Sequence, residues 1–156
     1  MRHPLLFLLV LLISLTSCGQ KSQSKNITYN VTMSDKEWKE KLSPEQYRVL
    51  RRRGTEKPFT SQYWNNNKKG IYSCCGCDQQ LFLAITKFKS GTGWPSFYNF
   101  IENGVSVGTD NDLGYSRNEV HCTNCGGHLG HVFEDGPKPT GLRYCINSAS
   151  LNFKEE

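Results

Sequence analysis

The chain has 156 residues, which is enough for one domain with flanking segments. Charged residues make up 21% of the sequence and aromatic residues 12%, a composition typical of globular rather than disordered proteins. The formal net charge of +5 is modest and is not gathered in blocks, so the sequence does not indicate a nucleic-acid-binding protein.

Residues 1–17 have the pattern of an export signal. Arg2 and His3 form a short positive segment, and an unbroken apolar run from Leu5 to Ile13 follows. The run is about half as long as the roughly twenty residues that a membrane span needs. The pattern therefore favours a signal peptide over a transmembrane helix.

Leu15-Thr16-Ser17-Cys18 and the following Gly19 resemble a bacterial lipobox, which implies that Cys18 is lipidated and becomes the first mature residue. Acyl chains contribute about 0.8 kcal/mol per buried methylene, so several of them hold a soluble domain at a bilayer. We expect a lipid anchor in the bacterial cell envelope, outside the cytoplasm. The alternative is ordinary secretion after cleavage near Cys18. Residues 18–33 are expected to form a flexible tether to a domain at residues 34–156.

Two short helices are predicted at the start of the domain. Ser34 with Glu37, and Ser43 with Gln46, have the spacing of capping boxes, in which two side chains satisfy the free N–H groups of a helix start. The second helix is expected to end near Gly54, because glycine is common just beyond helix ends.

From Ile71 onward, short apolar or alternating runs are separated by clusters of Gly, Asn, Asp and Pro. This spacing predicts a mainly β fold with antiparallel strands, and no helix is predicted beyond the first third of the chain. The predicted strands are Ile71–Cys74, Leu81–Leu83, Val105–Val107, Glu119–Cys122, Gly130–Phe133, Leu142–Asn147 and Ser150–Phe153.

Four of the seven cysteines form two Cys-x-x-Cys pairs, Cys74 with Cys77 and Cys122 with Cys125. Each pair places two thiolates on a tight turn, and four thiolates satisfy the tetrahedral coordination of Zn²⁺. We therefore predict one Zn²⁺ per chain. Because four protein ligands leave no position for water, the metal is expected to be structural. The alternative is a pair of disulfides, which an exported protein can form.

Cys145 is the candidate nucleophile. In the predicted strand Leu142–Asn147, apolar and polar positions alternate, so Arg143, Cys145 and Asn147 share one face. A guanidinium on the same face should favour the thiolate, and Asn147 offers a neutral donor and acceptor beside it. The alternative is a buried structural cysteine. Cys75 adjoins a metal ligand and is not expected to take part in catalysis.

Two other segments supply candidate groups. His128, His131 and Asp135 lie close together in sequence and are candidate proton donors near neutral pH; alternatively they are surface residues or metal ligands. The glycine-rich loop of residues 91–97 presents Trp94 and Phe97, and the flat ring of Trp94 suits a small methyl group, which makes the two residues candidate substrate contacts. Without further context, packing of Trp94 in the core is the favoured interpretation.

Together these segments resemble the type B methionine sulfoxide reductase family. The resemblance covers roughly residues 35–155, and five segments in the same order make it highly specific. The matching segments are Tyr72-Ser73-Cys74 with Cys77, residues 87–97, Glu119-Val120-His121-Cys122 with Cys125, residues 127–133, and residues 135–151.

The resemblance implies two antiparallel β-sheets with short N-terminal helices and reduction of the R epimer of methionine sulfoxide, free or within proteins. It implies that Cys145 is the nucleophile and that the paired cysteines bind zinc. The residues that match the substrate pocket of the family are Trp94, His128, His131, Asp135, Arg143 and Asn147.

The implied chemistry begins when the Cys145 thiolate attacks the sulfoxide sulfur. His131 or His128, together with Asp135, then protonates the leaving oxygen. Methionine departs and Cys145 becomes a sulfenic acid.

Many family members carry a resolving cysteine where this chain has Thr92. We therefore expect regeneration by an external thioredoxin-like protein or small thiol, unless Cys75 reaches the oxidised sulfur. The enzyme is expected to act as a monomer. Two rival hypotheses are a non-catalytic zinc-binding β-domain that recognises a ligand and a metal scavenger of the cell envelope.

Overall fold

A computed structural model of the protein describes residues 28–110 and 117–156. The predicted signal peptide, Cys18 and most of the predicted tether lie outside the described residues. The last part of the tether lies against the domain, because the Val31 N–H donates to the Asn124 carbonyl (3.0 Å) and Val31 and Met33 pack against the core. Within the described part of the chain, no helix is long and apolar enough to cross a membrane.

Both predicted helices are present, as α1 (Asp35–Lys41) and α2 (Pro44–Arg52). The two capping boxes are confirmed, since the Ser34 hydroxyl accepts from the Glu37 N–H and the Ser43 hydroxyl accepts from the Gln46 N–H. α2 ends close to Gly54, as predicted. Each helix contributes buried apolar side chains, Trp38 from α1 and Val49 and Leu50 from α2.

The β strands of the described residues follow the predicted order, and the prediction missed two short ones, β3 and β4. A strand of two residues carries no periodicity that a sequence can reveal. Beyond α2, the described helical segments are single 3-10 turns, Ala84–Thr86 and Ser148–Ser150. The strands are β1 (Gly70–Cys74), β2 (Gln80–Leu83), β3 (Lys87–Phe88), β4 (Ser96–Phe97), β5 (Val105–Asp110), β6 (Arg117–Cys122), β7 (His128–Phe133), β8 (Arg143–Ile146) and β9 (Leu151–Glu155).

The strands form two antiparallel sheets, which confirms the predicted fold class. One sheet has the order β2-β1-β9, and the other has the order β3-β4-β8-β7-β6-β5. β8 lies inside the larger sheet, where Cys145 pairs with Ser96 of β4 and with His131 of β7. Residues that are far apart in sequence are thereby brought beside the candidate nucleophile.

The core lies between the two sheets and is rich in aromatic rings. Phe82 and Phe97 stack with centroids 4.4 Å apart, and Tyr72 meets Phe97 edge to face at 5.1 Å. Phe97 is fully buried, so its predicted role as a substrate contact is not supported. The reason is strand alternation: Ser96 pairs with Cys145, whereas Phe97 pairs with Tyr144 and faces the core.

Candidate active site

The four paired cysteines form one cluster that joins two turns. Their sulfur atoms all lie within 4.8 Å of one another. Sγ of Cys74 is 3.7 Å from Sγ of Cys125, and Sγ of Cys77 is 3.5 Å from Sγ of Cys122. A tetrahedral Zn²⁺ with Zn–S bonds of about 2.3 Å requires sulfur atoms about 3.8 Å apart, so the cluster fits such an ion.

The sulfur positions favour a metal site over the alternative of two disulfides. All four are free, and the closest sulfur atoms are much farther apart than the roughly 2.05 Å of a disulfide bond. The backbone of each turn supports the cluster, because the Asp78 N–H donates to the Cys74 carbonyl and the Gly126 N–H donates to the Cys122 carbonyl, both at 2.9 Å. Gly126 has φ 68°, a conformation that glycine adopts without steric cost.

Cys145 opens into a cavity of about 130 Å³. For comparison, an engineered cavity of about 150 Å³ holds benzene, so the space suits a small side chain. Backbone pairing places His131 directly across from Cys145 on β7, while Trp94 and Asn147 come from the loop before β4 and the residue after β8. The residues that line the cavity are Thr55, Trp94, Gly130, His131, Phe133, Cys145 and Asn147.

Burial dominates the acidity of Cys145. It raises the pKa of the thiol, while a hydrogen bond from Thr92 and the positive charge of Arg143 lower it and only partly offset the burial. Arg143 therefore lowers the pKa of the Cys145 thiol, as the sequence prediction expected. The effect of burial is larger, so the pKa lies above its usual value. The thiolate fraction of Cys145 increases as the pH rises toward this pKa.

Arg143 is held by two neighbours on the same side of the sheet. Its guanidinium donates two hydrogen bonds of 2.8 Å to the carboxylate of Asp135 and lies 4.4 Å from the ring centre of Phe133. The bond from Arg143 lowers the pKa of Asp135, which keeps this carboxyl ionised at neutral pH. Asp135 does not line the cavity, so its predicted part in protonating a substrate is not supported; it orients Arg143 instead.

The two histidines differ in their access to the cavity. His131 lines the cavity, whereas His128 is 2% exposed and its Nδ1 lies 2.6 Å from a carboxylate oxygen of Glu119. The two imidazole rings meet edge to face with centroids 5.4 Å apart. Of the two predicted proton donors, His131 is therefore the one that a molecule in the cavity can reach.

Glu119 is a buried acid that the sequence prediction did not single out. Burial opposes its ionisation, but hydrogen bonds from His121 and His128 hold the pKa of the carboxyl well below its usual range. Arg53, just beyond α2, also pairs with it. A buried carboxylate needs such partners. Glu119 thereby connects Arg53, at the end of α2, to His128, whose ring contacts that of His131.

Trp94 and Asn147 are fixed by the same segment of backbone. The Trp94 indole N–H donates to the Glu56 carbonyl (3.1 Å), and the Asn147 side-chain oxygen accepts from the Glu56 N–H (3.0 Å). The Asn147 amide also donates to the Leu129 carbonyl (3.0 Å). The sequence prediction placed Trp94 and Asn147 at the pocket but missed Thr55 and Glu56, since no motif marks the loop that carries them.

Comparison with known proteins identifies the family. A family model described as the SelR domain matches residues 42–155. A protein of Agrobacterium fabrum named peptide methionine sulfoxide reductase MsrB is 55% identical over 125 residues, which cover 80% of this chain and 93% of that protein. A protein of the same name from Leptospira interrogans is 54% identical over 131 residues, which cover 83% of this chain and 100% of that protein. Another from Methanosarcina barkeri is 58% identical over 127 residues, which cover 81% of this chain and 89% of that protein.

The chain belongs to the MsrB family. It is therefore an oxidoreductase, which disfavours the two rival hypotheses of a ligand-binding domain and a metal scavenger. The predicted resemblance to type B methionine sulfoxide reductases is confirmed over most of the chain.

Position 92 of this MsrB protein faces the candidate nucleophile. The Thr92 hydroxyl lies 3.9 Å from Sγ of Cys145 and 2.9 Å from the Ser90 hydroxyl, which in turn lies 2.7 Å from the Ser96 hydroxyl. The chain thus presents a row of hydroxyls to the sulfur. The resemblance led us to expect a resolving cysteine at this position in many family members, and the distance shows that a side chain at position 92 lies within reach of Cys145.

Cys75 has a different environment. It is 9% exposed on the first metal-binding turn, and its N–H donates to the Ser150 carbonyl at 2.9 Å. Burial raises the pKa of its thiol to about 12. Cys75 therefore lacks the exposure and acidity of a reactive cysteine.

Replacing Thr92 should change the titration of Cys145. Thr92→Val keeps the approximate volume but removes the hydroxyl that lowers the pKa of the thiol, so this pKa should rise further. Alkylation of Cys145 by an uncharged reagent, followed by peptide mass spectrometry, should show a rate profile displaced to higher pH. Thr92→Ser, which keeps the hydroxyl, is the matched control. Identical profiles for Thr92→Val and the wild type would contradict the role of this hydrogen bond.

Proposed function

We propose that this protein reduces methionine-R-sulfoxide, within proteins or free, to methionine, and that Cys145 is the nucleophile. The observation that carries the proposal is the cavity in which Cys145, His131 and Trp94 meet, in a chain of the MsrB family. The three groups supply a sulfur nucleophile, a proton donor and a flat apolar wall. Oxidised proteins of the cell envelope are the proposed substrates in the cell.

The proposed reaction transfers the sulfoxide oxygen to Cys145. The Cys145 thiolate attacks the sulfoxide sulfur, while His131 gives a proton to the oxygen so that charge does not accumulate there. The attack joins Sγ of Cys145 to the methionine sulfur. The protonated oxygen then passes to Sγ as the bond between the two sulfurs and the original sulfur–oxygen bond break, so that Cys145 becomes a sulfenic acid and the substrate leaves as a thioether. The methionine sulfur is thereby reduced by two electrons, and the Cys145 sulfur is oxidised by two.

Selectivity for one epimer requires that three substituents of the sulfoxide sulfur be distinguished. In the proposed complex the methyl group contacts the Trp94 ring, the oxygen faces His131, and the rest of the methionine leaves through the cavity mouth. Arg143 lies on the polar side and attracts the Cys145 thiolate, as the effect of its charge on the thiol pKa indicates. Exchanging the methyl group and the oxygen would put the polar atom against the indole, which costs binding energy.

We propose that an external thiol regenerates the enzyme. One thiolate of a thioredoxin-like protein, or a small thiol, attacks the sulfenic acid and releases water, and a second thiol attacks the mixed disulfide to free Cys145. Thr92 supports this proposal because its hydroxyl lies beside Cys145, where it cannot form a disulfide with the oxidised sulfur. The burial of Cys75 supports it as well.

We propose that the ion held by the four-cysteine cluster is Zn²⁺. Four thiolates match the soft, tetrahedral preference of this ion and leave no place for a bound water. The ion would tie the turn after β1 to the turn after β6 and take no part in the reaction, which occurs at Cys145.

We propose further that the chain is exported and anchored through lipidated Cys18, on the strength of the apolar run and the lipobox-like segment. When the full chain is expressed in a bacterium, it should sediment with the membranes, and Cys18→Ser should move it to the soluble fraction. Cys75→Ser changes a cysteine outside the lipobox and should stay with the membranes. Soluble wild-type protein would rule out the anchor.

The catalytic proposal is tested with separated epimers. With dithiothreitol as the reductant, the wild type should reduce the R epimer about a hundredfold faster than the S epimer. Cys145→Ser should lose activity by about a thousandfold or more, since a hydroxyl is a poor nucleophile without activation. Cys75→Ser is the matched control and should keep its turnover, because Cys75 is not needed for regeneration.

A second measurement follows the intermediate. One equivalent of sulfoxide without reductant should produce one methionine per chain and leave Cys145 as a sulfenic acid that a carbon nucleophile traps. Undiminished turnover by Cys145→Ser, or a preference for the S epimer, would refute the proposal.

The zinc proposal is tested by metal content and stability. The purified protein should hold about one zinc ion per chain, and a strong chelator should lower its unfolding midpoint by at least about 10 °C, because the metal binds only the folded cluster. Cys122→Ser should lose the ion and show the same loss of stability, whereas Cys75→Ser should retain both. A stoichiometric ion of another element, or a metal-free protein with unchanged stability, would overturn the assignment.

A further inference from the structure

Glu56 is an acidic residue in the loop between α2 and β1, and it is 6% exposed. It does not line the cavity, and no part of the proposed reaction uses it. It nevertheless makes four hydrogen bonds, two through its carboxylate and two through its backbone. A buried charge with this many partners calls for a structural reason.

The carboxylate holds the turn that follows the Cys145 strand. One oxygen accepts from the Ser148 N–H (2.7 Å) and the other from the Ala149 N–H (2.8 Å). These two groups begin the 3-10 turn Ser148–Ser150, whose first N–H groups have no partner inside the turn. Hydrogen bonds to an ionised acceptor are the strong ones, so Glu56 binds this turn firmly to its own loop.

The backbone of Glu56 holds two walls of the cavity. Its N–H donates to the side chain of Asn147, and its carbonyl accepts from the indole of Trp94. Asn147 follows β8, whereas Trp94 belongs to the loop before β4, so the two walls come from different parts of the chain. Glu56 is the residue that connects them.

We propose that Glu56 is a positioning residue that sets the separation of Trp94 and Asn147, and through it the affinity for methionine sulfoxide. The carboxylate anchors the residue at Ser148 and Ala149, and the backbone then places both walls. The statement about affinity rests on the proposed function; the statement about geometry does not. Because Glu56 does not line the cavity and Trp94 is the proposed wall for the substrate methyl group, we expect a shift of the loop to weaken substrate binding more than it slows the chemistry at Cys145.

The test replaces the charge while preserving the shape. Glu56→Gln keeps one acceptor oxygen but points an N–H group at a backbone N–H, so the loop should shift away from the 3-10 turn. With methionine-R-sulfoxide and dithiothreitol, the KM should rise about tenfold while kcat stays within about twofold of the wild type. Glu56→Asp keeps the charge on a shorter side chain and gives a smaller rise in KM; it replaces the amide variant if that variant does not fold.

A spectroscopic signal reports the position of Trp94 independently of activity. The chain has three tryptophans, so a nitrogen-15 spectrum shows three indole N–H signals, and Trp94→Phe assigns the one from Trp94. In Glu56→Gln this signal should move and its hydrogen should exchange faster with solvent, because the bond to Glu56 is weakened. The signal of Trp38, which is buried in α1, should stay in place. Glu102→Gln, which changes an exposed acid, is the matched control and should alter neither the spectrum nor the kinetics.

Three results would overturn the positioning role: an unmoved Trp94 signal, a moved signal with unchanged KM, or a loss confined to kcat. If the wild type failed to reduce methionine sulfoxide, the proposed function would fall. The spectrum would still decide whether Glu56 holds Trp94.

Discussion

The pairing of β8 between β4 and β7 is the constraint on which the site depends. It puts Ser96 on one side of Cys145 and His131 on the other. The strands approach closely, since a Cβ on Gly130 would lie 2.0 Å from the Cys145 carbonyl oxygen. A side chain at position 130 would push β7 away and carry His131 with it. The backbone therefore fixes how far apart Cys145 and His131 lie, and side-chain rotamers only refine this distance.

The site balances the burial of a thiol against its reactivity. Burial of Cys145 beside the cavity strengthens the electrostatic contacts of the sulfur, but it also disfavours the charged form of the thiol. Thr92 and Arg143 recover part of that loss, and Asp135 keeps Arg143 in place from outside the cavity. Behind His131, the buried Glu119 pairs with Arg53, which directly follows α2, with His121 of β6 and with His128 of β7. The two acids, Asp135 and Glu119, thus lie outside the cavity and hold the basic residues nearer to it in place.

Features that depend on residues close together in the sequence could be predicted. The capping boxes, the two Cys-x-x-Cys turns and the alternation around Cys145 are all encoded within a few residues. Glu56 and Glu119 could not be predicted, because their partners are distant in sequence and no local pattern marks them. Phe97 was predicted to contact a substrate, and its place in the core could not be foreseen because β4 is too short to show an alternation in the sequence. The pKa of Cys145 depends on burial, which a neighbouring charge in the sequence does not reveal.

The hydroxyl at position 92 has a consequence for how readily Cys145 is oxidised irreversibly under oxidative stress. In the proposed reaction, a cysteine at this position would convert an oxidised Cys145 into a disulfide within the same molecule, whereas a hydroxyl cannot, so the oxidised sulfur persists until a reductant reaches it. Under the proposed chemistry, the waiting time grows as the thiol supply falls. A sulfenic acid that meets peroxide in that interval passes to the sulfinic state, which thiols do not reverse. The lifetime of each molecule is then set by the ratio of reductant to peroxide around it.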